Sequence, residues 1–223
     1  MTARFLTVLF DLDGTLLDHF SAIHRAHSHV RRHYGLPEAT REEVMRAIGG
    51  GLPAALKTML GPEHEHRLEE ALPVYRDYWD RTMLDDVVLF PGALELLRAL
   101  NDAGTKCAVL TNKHGPSARR VCSHLGLDPL LAGVFGATDT PWLKPEPQFA
   151  AHVLEKLGAD AATTAMVGDS PWDVEAAKRA GFGGSFMVTT GTHSEAELRA
   201  HGAGHVAPGL VDLMPLLLCV PDR

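Results

Sequence analysis

Phe5-Leu6-Thr7-Val8-Leu9-Phe10-Asp11-Leu12-Asp13-Gly14-Thr15-Leu16-Leu17-Asp18 is the stretch on which the reading of this chain turns. Its first six residues form a short apolar run with β-branched and aromatic members, the pattern of a strand buried on both faces in a parallel sheet. Asp11 and Asp13 then stand at the carboxyl end of that strand, where open α/β sheets bind ligands. Two carboxylates one residue apart raise each other's pKa unless positive charge lies between them. A divalent cation is the usual answer, and magnesium suits such oxygen ligands. Taken alone, Asp-x-Asp before a glycine is equally the composition of a solvated turn, so the decision rests on the rest of the chain.

From Pro91-Gly92 onward, helix and strand patterns alternate. Residues 93–103 read as a helix stopped at Gly104, 106–110 as a strand, 116–125 as a helix stopped at Gly126, and 133–137 as a short strand. A helix over 147–157 ends at Gly158, a strand over 163–167 runs into Gly168-Asp169, and a helix over 172–180 ends at Gly181. Residues 185–189 are strand-like, 195–201 helical, 205–206 a last strand and 210–218 a final helix. Such alternation implies right-handed crossovers and a doubly wound parallel sheet covered on both faces, an α/β fold. Residues 20–84 carry only helical patterns, broken at Gly35-Leu36-Pro37, Gly49-Gly50-Gly51 and Gly61-Pro62. The expected organisation is a core of residues 1–17 and 88–223 with a helical cap inserted over 18–87, which suits a chain of 223 residues.

Composition narrows the function classes. Hydrophobic residues at 45% and charged residues at 22% are ordinary for a globular chain, so a core can form. A formal charge of -7 argues against a nucleic-acid footprint. Cys107, Cys122 and Cys219 are odd in number and lack CxxC spacing, as buried reduced thiols of a cytoplasmic protein would be. No signal peptide is read, and no apolar run approaches the ~18 residues a bilayer span needs. His24, His27, His29 and His33 share one predicted helix but do not put three ligands on one face, so they are expected on a solvated surface rather than at zinc.

Polar residues that no structural role requires recur at successive strand ends: Asp11, Asp13 and Thr15; Thr111-Asn112-Lys113; Lys144 in a loop; and Gly168-Asp169-Ser170-Pro171-Trp172-Asp173. A parallel sheet brings all of them to one edge, the layout of an active site. Over nearly its whole length, with these four motifs in order, the chain resembles the haloacid dehalogenase superfamily phosphatases with a helical cap, nearest in pattern to the phosphoglycolate phosphatase-like group. The resemblance implies a Rossmann-like core with a cap of the C1 type and a phosphoric monoester hydrolase dependent on Mg2+. Asp11 would be the nucleophile that forms an aspartyl-phosphate, and Asp13 the acid and base, its backbone carbonyl also a metal ligand. Thr111 and Lys144 would hold the transferring phosphoryl group. Asp169 would complete a metal site formed with Asp11 and Asp13, and Asp173 would support the metal's water shell.

Thr15 and Asn112 are expected at the substrate, with helix capping the alternative for Asn112. Gly50, in the loop Ile48-Gly49-Gly50-Gly51-Leu52, permits close backbone approach to substrate, or is part of a plain interhelical turn. Arg46 would meet a carboxylate or second phosphate of the substrate, or remain an ordinary exposed arginine. His19 stands where the resembled group usually has a small residue such as Ser.

A small phosphorylated metabolite is thus the expected partner, with no nucleic acid, no membrane, and a monomer or homodimer as the assembly. A phosphomutase or pyrophosphatase of the same architecture would keep every motif. Dehalogenases proper and phosphonate-cleaving relatives lack the second acidic residue, so Asp13 disfavours both, although Lys57 offers a cap lysine for the latter. A phosphoacceptor signalling module shares the acidic pair, Thr and Lys but is about half as long and uncapped. A non-catalytic phosphate-binding protein is disfavoured because no motif residue has been lost.

Overall fold

The computed structural model describes residues 2–219, and side chains over residues 3–218. A short strand β1 (Thr2–Ala3) leads to β2 (Thr7–Phe10), the centre of the main sheet. The chain then forms β3 (Leu17–Asp18) and returns through β4 (Val88–Leu89), which pairs with β3 antiparallel. Strands β5 (Lys106–His114), β6 (Val134–Ala137), β7 (Thr164–Gly168), β8 (Gly184–Val188) and β9 (His205–Ala207) complete a six-stranded sheet of order β6-β5-β2-β7-β8-β9. All its pairings are parallel. Finally β10 (Leu218–Cys219) pairs antiparallel with β1.

The central strands are apolar on both faces, and their period of two sorts side chains between two cores. Val8, Phe10, Cys107, Val109, Ala165 and Val167 pack into one core, while Leu9, Ala108, Leu110 and Met166 pack into the other. Helices α5 (Ala93–Asp102), α6 (Gly115–His124) and α10 (Leu210–Leu217) cover the first face through residues such as Leu97, Val121 and Leu213. Helices α7 (Pro147–Leu157), α8 (Pro171–Ala180) and α9 (Glu195–Ala200) cover the second through Phe149, Val174 and Leu198. Burying each such side chain contributes about 1.5–3 kcal/mol. Two of these helices start on proline and stop at a left-handed glycine, Pro147 to Gly158 and Pro171 to Gly181.

Between β3 and β4 lie α1 (Phe20–His33), α2 (Arg41–Ala47), α3 (Leu52–Leu60) and α4 (Leu68–Thr82). Their apolar stripes, including Ile23, Val30, Val44, Leu56 and Trp79, join the first core. Thr40 and Glu43 form a reciprocal capping pair that starts α2.

Helices fall within a few residues of their sequence boundaries, and three departures have physical causes. The strand expected over 106–110 continues to His114, with irregular pairing to β6 between Leu110 and His114, so Thr111 and Lys113 lie within it. The β1/β10 and β3/β4 pairs are two residues per strand, too short to show any period. The histidines of α1 are not uniformly on the surface, because its buried stripe includes His27 at 1% exposure. Burial pulls the His27 imidazole down to about 4, with the charge of His24 a smaller influence, so it is neutral. Cys107 and Cys122 are buried free thiols, pushed up to about 12 chiefly by desolvation, as expected of inert core cysteines. The Cys219 side chain lies outside the described residues. No helix among the described residues is long and apolar enough to cross a membrane.

Candidate active site

At the carboxyl edge of the sheet, the ends of β2, β5 and β7 bring the motif residues together. The Asp11 amide donates to the Val167 carbonyl at 2.9 Å, which carries the β2/β7 pairing one residue past the strand and fixes where the carboxyl emerges. Lys144, 3% exposed, sets its ammonium 3.1 Å from Asp11 Oδ2 and 2.6 Å from Asp173 Oδ1. Asn112 holds the lysine's backbone: its Oδ1 accepts from Lys144 N at 2.8 Å and its Nδ2 donates to Lys144 O at 3.0 Å.

Asp173 sits in the first turn of α8, and its Oδ2 accepts from the Ser170 amide at 3.1 Å and hydroxyl at 2.6 Å. Asp169 accepts from the Thr15 hydroxyl through Oδ1 at 2.9 Å and from the Thr192 amide through Oδ2 at 3.2 Å. Gly191 and Gly14 make room for it. A Cβ on Gly191 would lie 1.7 Å from Asp169 Oδ2, and one on Gly14 would lie 2.6 Å away at a φ of +89°.

Asp11, Asp169 and Asp173 are all buried, with one oxygen of each within 4.8 Å of the others. Desolvation raises the Asp11 carboxyl to about 6 against the opposing pull of Lys144. Burial, then the charges of Asp173 and Asp11, hold Asp169 well above the ordinary carboxylate range. Three buried carboxylates facing one ammonium leave an excess of two negative charges, and the donors are all hard oxygens. That set fits a divalent cation of the magnesium kind. Asp173 Oδ2 already takes three donors, the Asp169 amide and the Ser170 amide and hydroxyl, whereas each Asp169 oxygen takes one, from Thr15 and Thr192, and keeps a lone pair.

Asp13 turns its carboxylate the other way. Lys113 Nζ lies 2.8 Å from its Oδ2, and His19 Nδ1 lies 3.3 Å from its Oδ1. Burial alone would raise this carboxyl, but Lys113 and then His19 outweigh it and hold it below the ordinary range. His19 is itself fixed by an Nε2 hydrogen bond to the Met83 carbonyl, and its ring lies 4.8 Å from that of Trp79. The Lys113 ammonium rests 4.7 Å from the centre of the same Trp79 ring. Lys113 had a legible signal, since Thr111 and Lys113 are two apart on one strand and so share a face.

A cavity of about 110 Å³ opens beside Asp11 and Asp13, walled on the helical side by α1, α3, α4 and the glycine loop. Gly49 and Gly51 line it. The loop is seated on the sheet edge: Gly49 O accepts from Asn112 Nδ2 at 2.8 Å, and a Cβ on Gly49 would meet the Trp172 ring at 2.7 Å.

Several expected substrate contacts are arranged differently. Thr15 spends its hydroxyl on Asp169, and Asn112 braces Lys144 and Gly49 rather than capping α6. Gly50 faces Ala54 and Trp172 and is not in the cavity wall. Arg46 is exposed and pairs with Glu42 at 2.6 Å, and Lys57 is exposed and pairs with Glu65 at 3.2 Å, so neither reaches the cavity.

The family model of the haloacid dehalogenase-like hydrolases matches residues 8–184. The chain belongs to that family. Among curated relatives, this haloacid dehalogenase-like hydrolase is 36% identical over 196 residues to "Probable phosphatase IndB" of Dickeya dadantii, covering 86% of this chain and 85% of the relative. It is 31% identical to a phosphoglycolate phosphatase of Vibrio vulnificus over 95% of each chain. It is also 31% identical to a 5'-nucleotidase of Pseudomonas aeruginosa over 96% of each. In fold it matches a Haemophilus somnus structure described as "a predicted phosphoglycolate phosphatase", with a TM-score of 0.90, 23% identity, and coverage of 98% of this chain and 100% of that one.

Proposed function

We propose that this haloacid dehalogenase-like phosphatase is a magnesium-dependent phosphomonoesterase that works through an aspartyl-phosphate on Asp11. The observation that carries the reading is the buried set of Asp11, Asp169 and Asp173 around Lys144 at the sheet edge, where the negative excess calls for a cation. Residues 18–87 act as the cap over this core.

Asp11 Oδ2 is the attacking atom, and its contact with Lys144 favours the ionised form that attack requires. Lys144 neutralises the phosphoryl oxygens, and the Thr111 hydroxyl, which bonds to Asp11, orients them. Asp11 and Asp169, with Asp173 bracing the frame, would hold a magnesium ion, which would supply further charge neutralisation when bound. Asp13 serves the proton transfers. Tied to Lys113 it is a carboxylate, the form needed to take a proton from the water that hydrolyses the acyl-phosphate. Protonating a leaving oxygen in the first step requires that the Lys113 contact be given up first. The seated glycine loop limits water at the reacting centre.

Phosphate release from a panel of small phosphoesters, with magnesium, with chelator and with Asp11→Asn, tests the reading. Magnesium-dependent release lost in the variant supports it; release that survives either chelation or the substitution defeats it.

A further inference from the structure

The helical wall of the cavity is apolar. Ile23, Ile48, Leu52, Ala55, Tyr75 and Trp79 line it, with Ile23, Ala55, Tyr75 and Trp79 each 5% exposed. The Tyr75 and Trp79 rings stack on each other, 5.8 Å apart at 21°, with His27 against Tyr75 and His19 against Trp79, which fixes both rings in the wall. His27 completes the wall and is neutral, because burial keeps its imidazole down near 4.

Positive charge is sparse along the helical wall of the cavity. Lys113, a cation in the wall, is already paired with Asp13. Arg76, exposed on α4 one turn before Asp80, is the other Lys or Arg of the lining. Arg46 and Lys57 are on the outer surface, paired with Glu42 and Glu65. A carboxylate pressed against the Ile, Leu, Tyr and Trp side chains, away from Arg76, loses water and gains no partner. An uncharged apolar group instead buries apolar area there.

We propose that the leaving group of this enzyme is an uncharged, apolar alcohol, selected by the aliphatic and aromatic helical wall, and not the carboxylate-bearing alcohol of phosphoglycolate. This rests on the phosphomonoesterase reading above and sharpens it to a substrate class.

The test compares kcat/KM for benzyl phosphate, ethyl phosphate and 2-phosphoglycolate with magnesium present. Benzyl phosphate should exceed each of the others at least tenfold. Leu52→Arg, which places a cation in the half-buried wall, should lower the benzyl to phosphoglycolate ratio at least tenfold. Phosphoglycolate turned over as well as or better than benzyl phosphate overturns the proposal while leaving the phosphatase intact. Should none of the three esters turn over, the hydrolase reading is what fails, and calorimetry with the stable analogues benzylphosphonate and phosphonoacetate then decides the pocket. Tighter binding of benzylphosphonate by at least tenfold supports it, and equal or weaker binding overturns it.

Discussion

Replacing Asp169 with Asn should make the metal-free protein more stable while removing its response to magnesium. Asp169 is buried against Asp173 and Asp11, and its carboxyl is held well above its ordinary pKa of 3.8. At pH 7 the folded, metal-free protein must either carry that charge in a repulsive site or fold with the group protonated. Protonation sets the upper limit: raising an ordinary carboxyl from 3.8 to pH 7 costs about 4 kcal/mol at ~1.36 kcal/mol per pH unit. Asparagine avoids this and can keep both neighbours, with Oδ1 accepting from the Thr192 amide and Nδ2 donating to the Thr15 hydroxyl, which accepts instead of donating. With some loss of hydrogen-bond quality, the gain should be about 2–3 kcal/mol, which for a chain of this length raises Tm by about 5–10 °C.

The pH dependence has a fixed sign. A carboxyl whose folded pKa is raised contributes stability below its unfolded value near 3.8 and loses it as pH rises toward the folded value, so the advantage of Asn is small at pH 4.5 and larger at pH 8. Differential scanning fluorimetry across that range, in chelator and in millimolar magnesium, gives the answer. Magnesium should raise the wild-type Tm most at the alkaline end and leave the variant unmoved. A variant less stable than wild type in chelator at pH 7.5, an advantage equal at pH 4.5 and 8, or a magnesium shift equal in both proteins would refute the reasoning.

Lys144→Met leaves Asp11 and Asp173 buried without their shared ammonium; breaking such a pair should cost about 3–5 kcal/mol, read by urea denaturation, with kcat on an accepted ester lower by at least ~10²-fold. Lys113→Met frees Asp13 from the charge that does most to hold its carboxyl down, so the acid limb of the kcat pH profile should move to higher pH; an unmoved limb would remove Asp13 as the base in a rate-determining water attack. His27 binds its proton near 4 when folded and near 6.5 when unfolded, so stability present above pH 6.5 falls as pH drops toward 4, by up to about 3 kcal/mol. His27→Leu should flatten that part of the Tm against pH curve, and an unchanged slope would show that the imidazole is protonated inside the fold.

The fold was legible because its signals are local and repeat. Each crossover carries its own apolar run, its proline at a helix start or glycine at a helix stop, and the same period of two that sorts Val8 from Leu9 sorts Val109 from Leu110 and Val167 from Met166. What escaped was short or two-sided. Two-residue strands such as β3 and β4 show no period, and His27 looks like surface by residue type but falls on the buried stripe of α1.

The site was legible to the level of which residues meet, and less so to what each one touches. Strand ends place Asp11, Thr111 and Asp169 together by topology alone. Residue type cannot say that Thr15 gives its hydroxyl to Asp169, or that Asn112 spans Lys144 and Gly49, because each pairing joins segments 32 to 154 residues apart. His19 shows the limit most clearly. Its place in the motif marks it as unusual, yet its effect on Asp13 depends on Met83, Lys113 and Trp79 arriving from α4 and β5 to fix the ring. A side chain that acts by bridging an inserted helical layer to the sheet edge has no pattern of its own in the chain. Its role follows from the closure of the two layers on each other, and the same closure sets an apolar wall opposite the charged one.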